Sequence, residues 1–328
     1  MKLLKNGFID VPVDPNVDLS SEISKLCREK NAIILAHYYQ LPEIQDVAHF
    51  VGDSLALSQK AASNDADIIL FAGVHFMAET AKILSPTKKV LIPDLNAGCS
   101  LADSAPVGKF KEFLKEYPGH TVISYVNTTA EIKAVSDIIC TSSNAVEIVN
   151  SLPKNEKIVF GPDRNLGNYI QGITGRKMVI WDGACHVHEE FSVERIIELK
   201  KEHPNAKIIA HPECKKPILV MSDFIGSTAA LLKYTKTDSG KEYIVATEPG
   251  IIHQMKKSSY NKIFLPAPPT DATCGCNDCN FMKLITLKKI YLTLLYDEPE
   301  VSMDNLLMDA ARKPIVRMLD MSAKLGLL

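Results

Sequence analysis

Three cysteines lie within six residues near the end of the chain, and two more lie far upstream in similar surroundings. Cys274, Cys276 and Cys279 share a loop rich in Gly, Asn and Asp, whereas Cys99 and Cys185 each follow a strand-like run and a glycine. Thiols in such positions bind a metal ion or an iron–sulfur cluster, or pair as a disulfide. We pursue the interpretation in which each third of the chain supplies one ligand.

The wide spacing of Cys99, Cys185 and Cys279 favours an iron–sulfur cluster over structural zinc. Structural zinc takes four ligands, usually as two close pairs. A [4Fe-4S] cluster held by three thiolates leaves one iron open as a Lewis acid. An isolated cysteine is more often a small buried hydrophobe, and we keep that interpretation for the other cysteines outside the loop. These are Cys27, Cys140 and Cys214.

The loop cysteines Cys274 and Cys276 remain ambiguous. Either could be a ligand, or one could pair reversibly with Cys279. His186 and His188, beside Cys185, could orient a cluster or lie on the surface.

Polar side chains also follow three strand-like runs, at positions that recur along the chain. They are His37, Tyr39, Tyr125, Asn127, His211 and Glu213. An isolated histidine is more often a core residue, but here two occupy the same repeat position. Glu213, Tyr39, Tyr125 and His211 are the candidate catalytic residues, because such groups move protons. The alternative for Glu213 is a helix cap or a surface pair with Lys215 or Lys216.

Hydroxyls and cysteines recur at matching distances from the three anchors His37, Tyr125 and His211. Ser54, Ser142 and Thr228 each come 17 residues after an anchor, and Cys99, Cys185 and Cys279 come 62, 60 and 68 residues after. Hydroxyls near helix N-termini bind phosphate or carboxylate. The alternative role of these three hydroxyls is helix N-capping, which is compatible with ligand binding.

Short β-branched runs alternate with amphipathic stretches in the same three segments, which predicts βαβ units with parallel sheets. We therefore predict an α/β fold of three homologous αβα sandwich domains about a pseudo-threefold axis, plus C-terminal helices. The predicted domains span residues 1–105, 106–190 and 191–280, and residues 281–328 form helices that pack back on the core, with Pro299 and Pro314 as their boundaries. The alternative to three homologous domains is that βα units of similar length coincide by chance. Ligands of such sheets bind at the carboxyl ends of the strands.

The bulk composition is that of an ordinary globular protein, with 46% hydrophobic and 23% charged residues. A net charge of −2 argues against nucleic-acid or anionic-membrane partners. Residues 1–15 lack an apolar signal region, and no run approaches the ~18 apolar residues of a membrane span. We expect a cytoplasmic protein with reduced or metal-bound cysteines. Neither a Walker A motif nor GxGxxG is present, so a nucleotide cofactor is not indicated.

The motifs together resemble those of the quinolinate synthase family, which makes quinolinate in de novo NAD biosynthesis. The earlier matches are Leu35-Ala-His-Tyr-Tyr-Gln40, Gly52-Asp-Ser-Leu55, Phe71-Ala-Gly-Val-His-Phe-Met-Ala-Glu-Thr80 and Tyr125-Val-Asn-Thr-Thr129. The later ones are Gly161-Pro-Asp-Arg-Asn-Leu-Gly167, Trp181-Asp-Gly-Ala-Cys185, His211-Pro-Glu-Cys214 and Cys279-Asn-Phe-Met-Lys-Leu284. They fall in order over nearly the whole chain.

The resemblance implies condensation of iminoaspartate (iminosuccinate) with dihydroxyacetone phosphate to quinolinate, with loss of phosphate and two waters. It implies the three-domain fold and a [4Fe-4S] cluster on Cys99, Cys185 and Cys279. It also implies functional coupling to an aspartate oxidase or aspartate dehydrogenase as the source of iminoaspartate. The implied substrate-binding residues are His37, Ser54, Tyr125, Val126, Asn127, Ser142, His211, Pro212, Glu213 and Thr228.

Two residues of the last motif depart from the family pattern, in which Pro usually stands at 280 and Asn at 285. This chain has Asn280 and Ile285, which affects the expected shape of the loop but not the ligand Cys279. Two other functions are alternatives. A hydro-lyase with the same open-iron cluster would need no phosphate site, and a cysteine-based redox sensor would not need the His, Tyr and Glu set.

Overall fold

The computed structural model describes residues 4–271 and 277–327. Its strands are β1 (Leu4–Lys5), β2 (Phe8–Ile9), β3 (Ala32–His37), β4 (Phe50–Gly52), β5 (Ile68–Ala72), β6 (Lys89–Leu91), β7 (Thr121–Tyr125), β8 (Ile138–Cys140), β9 (Ile158–Gly161), β10 (Val179–Ile180), β11 (Lys207–Ala210), β12 (Phe224–Ile225), β13 (Glu242–Ala246) and β14 (Ile263–Pro266).

Helices separate these strands along most of the chain. They are α1 (Leu19–Glu29), α2 (Pro42–Val47), α3 (Ser54–Ala62), α4 (His75–Leu84), α5 (Ser100–Asp103), α6 (Val107–Lys115), α7 (Ala130–Ala134), α8 (Ala145–Ser151), α9 (Arg164–Thr174), α10 (His186–Glu189), α11 (Val193–Glu202), α12 (Lys216–Met221), α13 (Thr228–Thr237), α14 (Ile251–Ser258), α15 (Leu287–Tyr296) and α16 (Asn305–Lys324). A 3₁₀ turn, Met282–Leu284, precedes α15.

The described strands form three parallel four-stranded sheets of one topology, besides the short hairpin β1-β2. Their orders are β4-β3-β5-β6, β8-β7-β9-β10 and β12-β11-β13-β14, so that the second strand of each segment lies outside the first. The predicted α/β fold with three equivalent parallel sheets is confirmed. Their arrangement about a pseudo-threefold axis stays a prediction.

A side-chain hydrogen bond to the first strand recurs in all three sheets. Each acceptor follows its donor by 15 residues and accepts from a backbone N–H three residues before an anchor. The pairs are Ile34 N to His49 Nδ1 (3.1 Å), Val122 N to Asp137 Oδ2 (2.8 Å) and Ile208 N to Asp223 Oδ2 (2.8 Å). Chance similarity of βα units does not produce such a contact, because it requires equivalent register as well as equivalent length.

The C-terminal segment is helical, as the sequence predicts, but one of its boundaries was wrong. Pro299 lies between α15 and α16, whereas Pro314 lies inside α16. An internal proline removes a backbone donor and costs about 3 kcal/mol. Ile315 and Met318 of the same helix are fully buried, so burial of its apolar face explains why the helix continues.

The chain divides into two compact units. The first unit comprises residues 1–99, 129–134 and 280–312, and the second comprises residues 100–128, 135–279 and 313–328. The first holds the sheet of β3 to β6, and the second holds the other two sheets. One sheet falls in each predicted domain, 1–105, 106–190 and 191–280; these boundaries themselves stay a prediction.

None of the described helices combines the length and the apolar character needed to cross a bilayer. The longest, α16, contains charged residues throughout.

Candidate functional site

The turn after the first strand is built alike in the first and third sheets. Tyr39 N donates to His37 Nδ1 (3.2 Å), and Glu213 N donates to His211 Nδ1 (3.4 Å). Because Nδ1 is the acceptor in both turns, Nε2 carries the proton of the neutral ring. Ser142 Oγ lies 3.1 Å from His211 Nε2, within the second unit. The structure thus joins two of the predicted site residues through a defined histidine tautomer.

Glu213 is the centre of a buried network in the second unit. Its Oε1 accepts a 2.6 Å hydrogen bond from Tyr125 Oη and lies 3.6 Å from His211 Nδ1, while Oε2 lies 3.2 Å from His188 Nδ1. Asn165 Nδ2 donates to the backbone oxygen of Glu213 (3.0 Å) and holds the turn. A surface pairing of Glu213 with Lys215 or Lys216 is therefore wrong: the side chain is only 3% exposed.

The surroundings of this network shift the pKa values of two carboxyl groups, Glu213 and Asp163, in opposite directions. Burial favours the neutral acid of Glu213, but His188, His211 and Tyr125 outweigh burial and hold the pKa of Glu213 below its ordinary value. Burial, and then the charge of Glu213, raise the pKa of Asp163 well above its ordinary value. Burial also lowers the pKa of His211 to about 3, so this imidazole is neutral. Carboxyl groups with pKa values driven apart are the usual pattern of an acid and a base in one site.

Asp163 also has a structural role. It caps α9, because its Oδ1 accepts from Leu166 N (2.7 Å), while Oδ2 is buried with no hydrogen-bond partner among the described residues. Asp163 pairs with Gly183 as an isolated parallel bridge, and Arg164 N donates to Gly183 O (2.8 Å). The loops that follow β9 and β10 are thereby tied together two residues before Cys185.

The Cys185 loop passes too close to its neighbours for any residue but glycine at 183. A Cβ on Gly183 would lie 2.3 Å from Ser104 Oγ and 2.5 Å from Pro162 O. Trp181 Nε1 donates to Ser104 O (3.1 Å) on the other side of the same turn. After Cys185, His186 Nδ1 lies 2.6 Å from Ser100 Oγ. Packing on both sides of Cys185 therefore fixes its loop within the second unit.

Cys279 belongs to the same unit and is held by two buried groups. Asn277 Nδ2 donates to Val187 O (2.5 Å), which connects the Cys279 loop to α10, the helix directly after Cys185. Glu248 Oε1 accepts from Cys279 N (3.2 Å). Two predicted cluster ligands are thus anchored to one short helix. Cys274 and Cys276 lie outside the described residues.

The third predicted ligand, Cys99, belongs to the first unit. Its loop is held by His75 N, which donates to Ala97 O (2.6 Å), and by Phe281, whose ring would lie 3.5 Å from a Cβ at Gly98. Among the six described cysteines, Cys99, Cys185 and Cys279 are half-buried. Cys27, Cys140 and Cys214 are buried. Burial raises the pKa of Cys27 to about 11, which suits an unreactive core thiol.

The predicted hydroxyls do not cap helices, which corrects the alternative considered from sequence. Ser54 and Thr228 are the first residues of α3 and α13, and the caps are Asp53, which accepts from Ala56 N, and Ser227, which accepts from Ala230 N. Ser142 precedes α8, whose N-cap residue is Asn144. The residue before Ser54 and the residue before Thr228 therefore do the capping, and Ser142 lies outside the cap position of α8.

The remaining predicted residues lie beside these turns. Val126 N donates to Cys140 O (2.8 Å) and closes the end of β7. Asn127 has a buried Oδ1 with no hydrogen-bond partner among the described residues, which is compatible with an atom that binds a ligand. Pro212 separates His211 from Glu213. Tyr39 contacts the ring of His37 edge-on, with centroids 4.4 Å apart.

Sequence reasoning missed three buried residues near these groups. His188, 2% exposed, was given a surface role as an equal alternative, which is wrong. Asp163 lies in the Gly161–Gly167 motif, where the sequence alone assigns it no role. Lys133 of α7 is fully buried, and its Nζ lies 5.3 Å from the Phe76 ring centroid in the first unit. Burial lowers the pKa of Lys133 to about 8, against the opposing charges of Glu79 and Cys99.

The spacing Cys-x-x-His is the available signal for His188, and for Lys133 it is only a charged residue between the apolar residues Ile132 and Ala134 of α7. Neither is specific, because both patterns also occur on solvated helix faces.

Comparison with known proteins gives a consistent match over nearly the whole chain. The family model described as NadA, quinolinate synthetase A protein, matches residues 21–320. A quinolinate synthase of Thermosynechococcus vestitus is 59% identical over 306 residues, which cover 93% of this chain and 96% of that protein. One from Synechocystis is 61% identical over 305 residues (93% and 96%), and one from Gloeothece citriformis is 56% identical over 313 residues (95% and 97%).

Proposed function

The chain belongs to the quinolinate synthetase A family, and from that premise we propose that it is a quinolinate synthase. The reaction condenses iminoaspartate with dihydroxyacetone phosphate to quinolinate and releases phosphate and two waters. It requires a C–C bond, a ketose-to-aldose isomerisation, ring closure by imine formation and two dehydrations. The observation that carries the proposal is the Glu213 carboxylate, buried between a phenol and two imidazoles.

Glu213 suits the proton transfer between adjacent carbons that the isomerisation demands. Its pKa is held below the ordinary value by His188, His211 and Tyr125 despite burial, so it is ionised and able to accept a proton. Tyr125 Oη, 2.6 Å away, is a hydroxyl that can donate a proton or a hydrogen bond to a developing oxyanion. Neutral His211 donates through Nε2 and orients a substrate oxygen as it orients Ser142.

The anionic groups of both substrates need donors, and the predicted binding residues supply them. Ser54 and Thr228 begin α3 and α13, where hydroxyls and unsatisfied backbone N–H groups bind phosphate or carboxylate. Asn127 offers its buried amide to a polar substrate group. His37 presents Nε2 as a donor, since its Nδ1 accepts from Tyr39 N. These roles follow from position and chemistry and form part of the proposal.

The donor set fits an iron–sulfur cofactor, since Cys99, Cys185 and Cys279 are half-buried thiols, the ligand type that such clusters take. We assign them as the ligands of a [4Fe-4S] cluster, which when bound would supply a Lewis acid at its open iron for carboxylate or hydroxyl groups. Glu213, Tyr125 and the histidines would perform the proton transfers around it.

Iminoaspartate hydrolyses readily, so an enzyme that oxidises aspartate must supply it. An aspartate oxidase or aspartate dehydrogenase is the partner that this chemistry requires, and we propose a cytoplasmic location for the reaction.

Anaerobic purification followed by assay with iminoaspartate generated in situ tests the proposal. Quinolinate should form only when dihydroxyacetone phosphate is present, with one phosphate released per quinolinate, measured by mass spectrometry and a phosphate assay. Turnover of a hydroxy acid without any phosphate requirement would instead identify a hydro-lyase. A cluster-loaded protein with no turnover in either assay would favour the cysteine-based redox sensor.

A further inference from the structure

Cys185, His188 and Glu213 present three metal-binding atoms to one another inside the second unit. The thiol sulfur, an imidazole nitrogen and a carboxylate oxygen all lie within 4.8 Å of one another. Cys185 directly precedes α10 and His188 lies within it, three residues on, so one helical turn aims both side chains to the same side. Glu213 reaches the same point from the turn after β11.

His188 supplies the observation that points to a ligand. Its side chain is 2% exposed, yet Nδ1 has no hydrogen-bond partner among the described residues, although Glu213 Oε2 lies 3.2 Å away. A buried polar atom without a partner costs about 1–3 kcal/mol. A cation bound by this nitrogen and by the neighbouring carboxylate would remove that cost for His188.

The other nitrogen of His188 is already arranged as in a metal site. Nε2 lies 3.0 Å from Thr247 Oγ1, in the residue that follows β13. Metal-binding histidines characteristically donate their second N–H to an oxygen, which selects the tautomer and fixes the ring. With Nε2 at Thr247, Nδ1 is the nitrogen on the side of Glu213, whose Oε2 lies 3.2 Å away.

We propose that Cys185, His188 and Glu213 form a mononuclear Zn²⁺ site in the chain when no cluster is bound. One sulfur, one nitrogen and one oxygen are the donors that Zn²⁺ takes, at about 2.3, 2.0 and 2.1 Å. Tetrahedral ligand atoms at those lengths lie about 3.3–3.6 Å apart, whereas the observed atoms lie within 4.8 Å, so the group would contract by up to about 1 Å on binding the ion. Three protein ligands leave the fourth position for water.

This site has a functional consequence. Zn²⁺ and the proposed cluster both require Cys185, so each excludes the other. Zn²⁺ would also engage Glu213, the proposed base. The zinc-bound chain would therefore be inactive and would resist cluster assembly, which would couple the activity to the ratio of zinc to iron. The zinc site stands on the geometry alone and does not depend on the proposed reaction.

The test uses the full chain freed of its cluster, with Zn²⁺ as the probe in calorimetry and Co²⁺ as a spectroscopic probe. The loop cysteines could bind zinc independently, so the reference protein carries Cys274→Ala, Cys276→Ala and Cys279→Ala. It should bind one Zn²⁺ per chain, and Co²⁺ should give tetrahedral bands with the charge-transfer intensity of a single thiolate. Mg²⁺ should not compete, because it prefers oxygen ligands.

Variants in this reference protein decide the outcome. His188→Ala and Cys185→Ser should each weaken Zn²⁺ binding by about a hundredfold or more, and Thr247→Val by about tenfold or more. His186→Ala is the matched control: His186 contacts Ser100 and is outside the group, so affinity should be unchanged. Zn²⁺-dependent elevation of the melting temperature, present in the reference protein and lost in His188→Ala, gives a second measurement. Undiminished binding in folded His188→Ala, or no stoichiometric binding in the reference protein, would overturn the proposal.

Discussion

The neighbours that keep Glu213 ionised are groups that can themselves gain or lose a proton. Two imidazoles and a phenol surround it, where a lysine or arginine would have made a permanent ion pair. A permanent pair would hold the carboxylate too firmly to take up a proton, because the paired cation stabilises only the ionised form. Imidazoles and a phenol can instead rearrange their protons during a reaction. The environment therefore suits a group that changes protonation state within each turnover.

Glu213→Gln keeps the size of the side chain and removes the base. We expect the cluster spectrum and substrate binding to be retained and turnover to fall by about a hundredfold or more, as on removal of a general base. The measurement is quinolinate formation under saturating substrates together with the melting temperature. Glu198→Gln, an exposed acid on α11, is the control and should retain full activity. Near-normal turnover of Glu213→Gln would return Glu213 to a purely structural role.

The half-buried and the buried cysteines should behave differently on substitution. Replacing Cys99, Cys185 or Cys279 by Ala should abolish the brown colour and the iron of about four atoms per chain, because a three-thiolate site has no spare ligand. Cys27→Ala, in the core of α1, should keep iron and sulfide at the level of the unsubstituted chain. Iron and sulfide analysis after anaerobic purification gives the answer. A Cys185→Ala protein with a full cluster would refute the ligand assignment.

At the scale of elements, the loops that carry the candidate site are held by contacts with neighbouring segments, one through the backbone and one through a side chain. The bridge between Asp163 and Gly183 ties the loops after β9 and β10, and Asn277 ties the Cys279 loop to α10. Such ties explain how a thiol on an irregular segment is held in one place. The close approach of the loops at the bridge also leaves no room for a side chain at Gly183.

Gly183→Ala should disturb the Cys185 loop, since its Cβ would lie 2.5 Å from Pro162 O, a backbone atom that cannot rotate away. We expect a loss of about 1–3 kcal/mol in the free energy of unfolding and reduced cluster content. Gly172→Ala, in α9 with open space around its Cα, should instead be neutral or stabilising by up to about 1 kcal/mol. Chemical denaturation and iron analysis measure both. Equal behaviour of the two variants would show that the loop accommodates a side chain.

The elements themselves were accessible from sequence because their signals are local. Runs such as Ile68–Ala72, buried throughout, read as interior parallel strands, and three such segments with equal offsets predicted three equivalent sheets. Pro314 was misjudged because burial of an apolar helix face outweighed a local rule. The strand order was not deduced, since periodicity carries no information on which strands are neighbours.

Part of the candidate site is also predictable from local sequence signals. Residues at strand ends, such as His211 and Glu213, could be selected because topology brings strand ends to one edge of a sheet. His188 and Lys133 could not, because their importance comes from burial beside groups distant in sequence. A histidine on a short helix and a lysine on another have no local feature that distinguishes them from surface residues.

At the scale of the whole molecule, the last helix supports a loop encoded in the middle of the chain. Asn144 Nδ2 donates to Ser322 Oγ (3.0 Å) across 178 residues of sequence, and both side chains are buried. Asn144 Oδ1 accepts from Thr141 N (2.7 Å), which orders the turn that carries Ser142. The C-terminal half of α16 is thus part of the second unit and supports a predicted binding residue.

Ser322→Ala tests that support. The variant removes the acceptor of Asn144 Nδ2, and a buried donor left without a partner costs about 1–3 kcal/mol. We expect the melting temperature to fall by about 2–6 °C and the KM to rise more than kcat falls, because Ser142 is proposed to bind substrate rather than to react. Ser302→Ala, an exposed serine before α16, should change the free energy of unfolding by less than about 0.5 kcal/mol. If the two variants melt at the same temperature, the contact between the last helix and the Ser142 turn contributes nothing measurable, and that turn must be ordered by Thr141 and Asn144 alone.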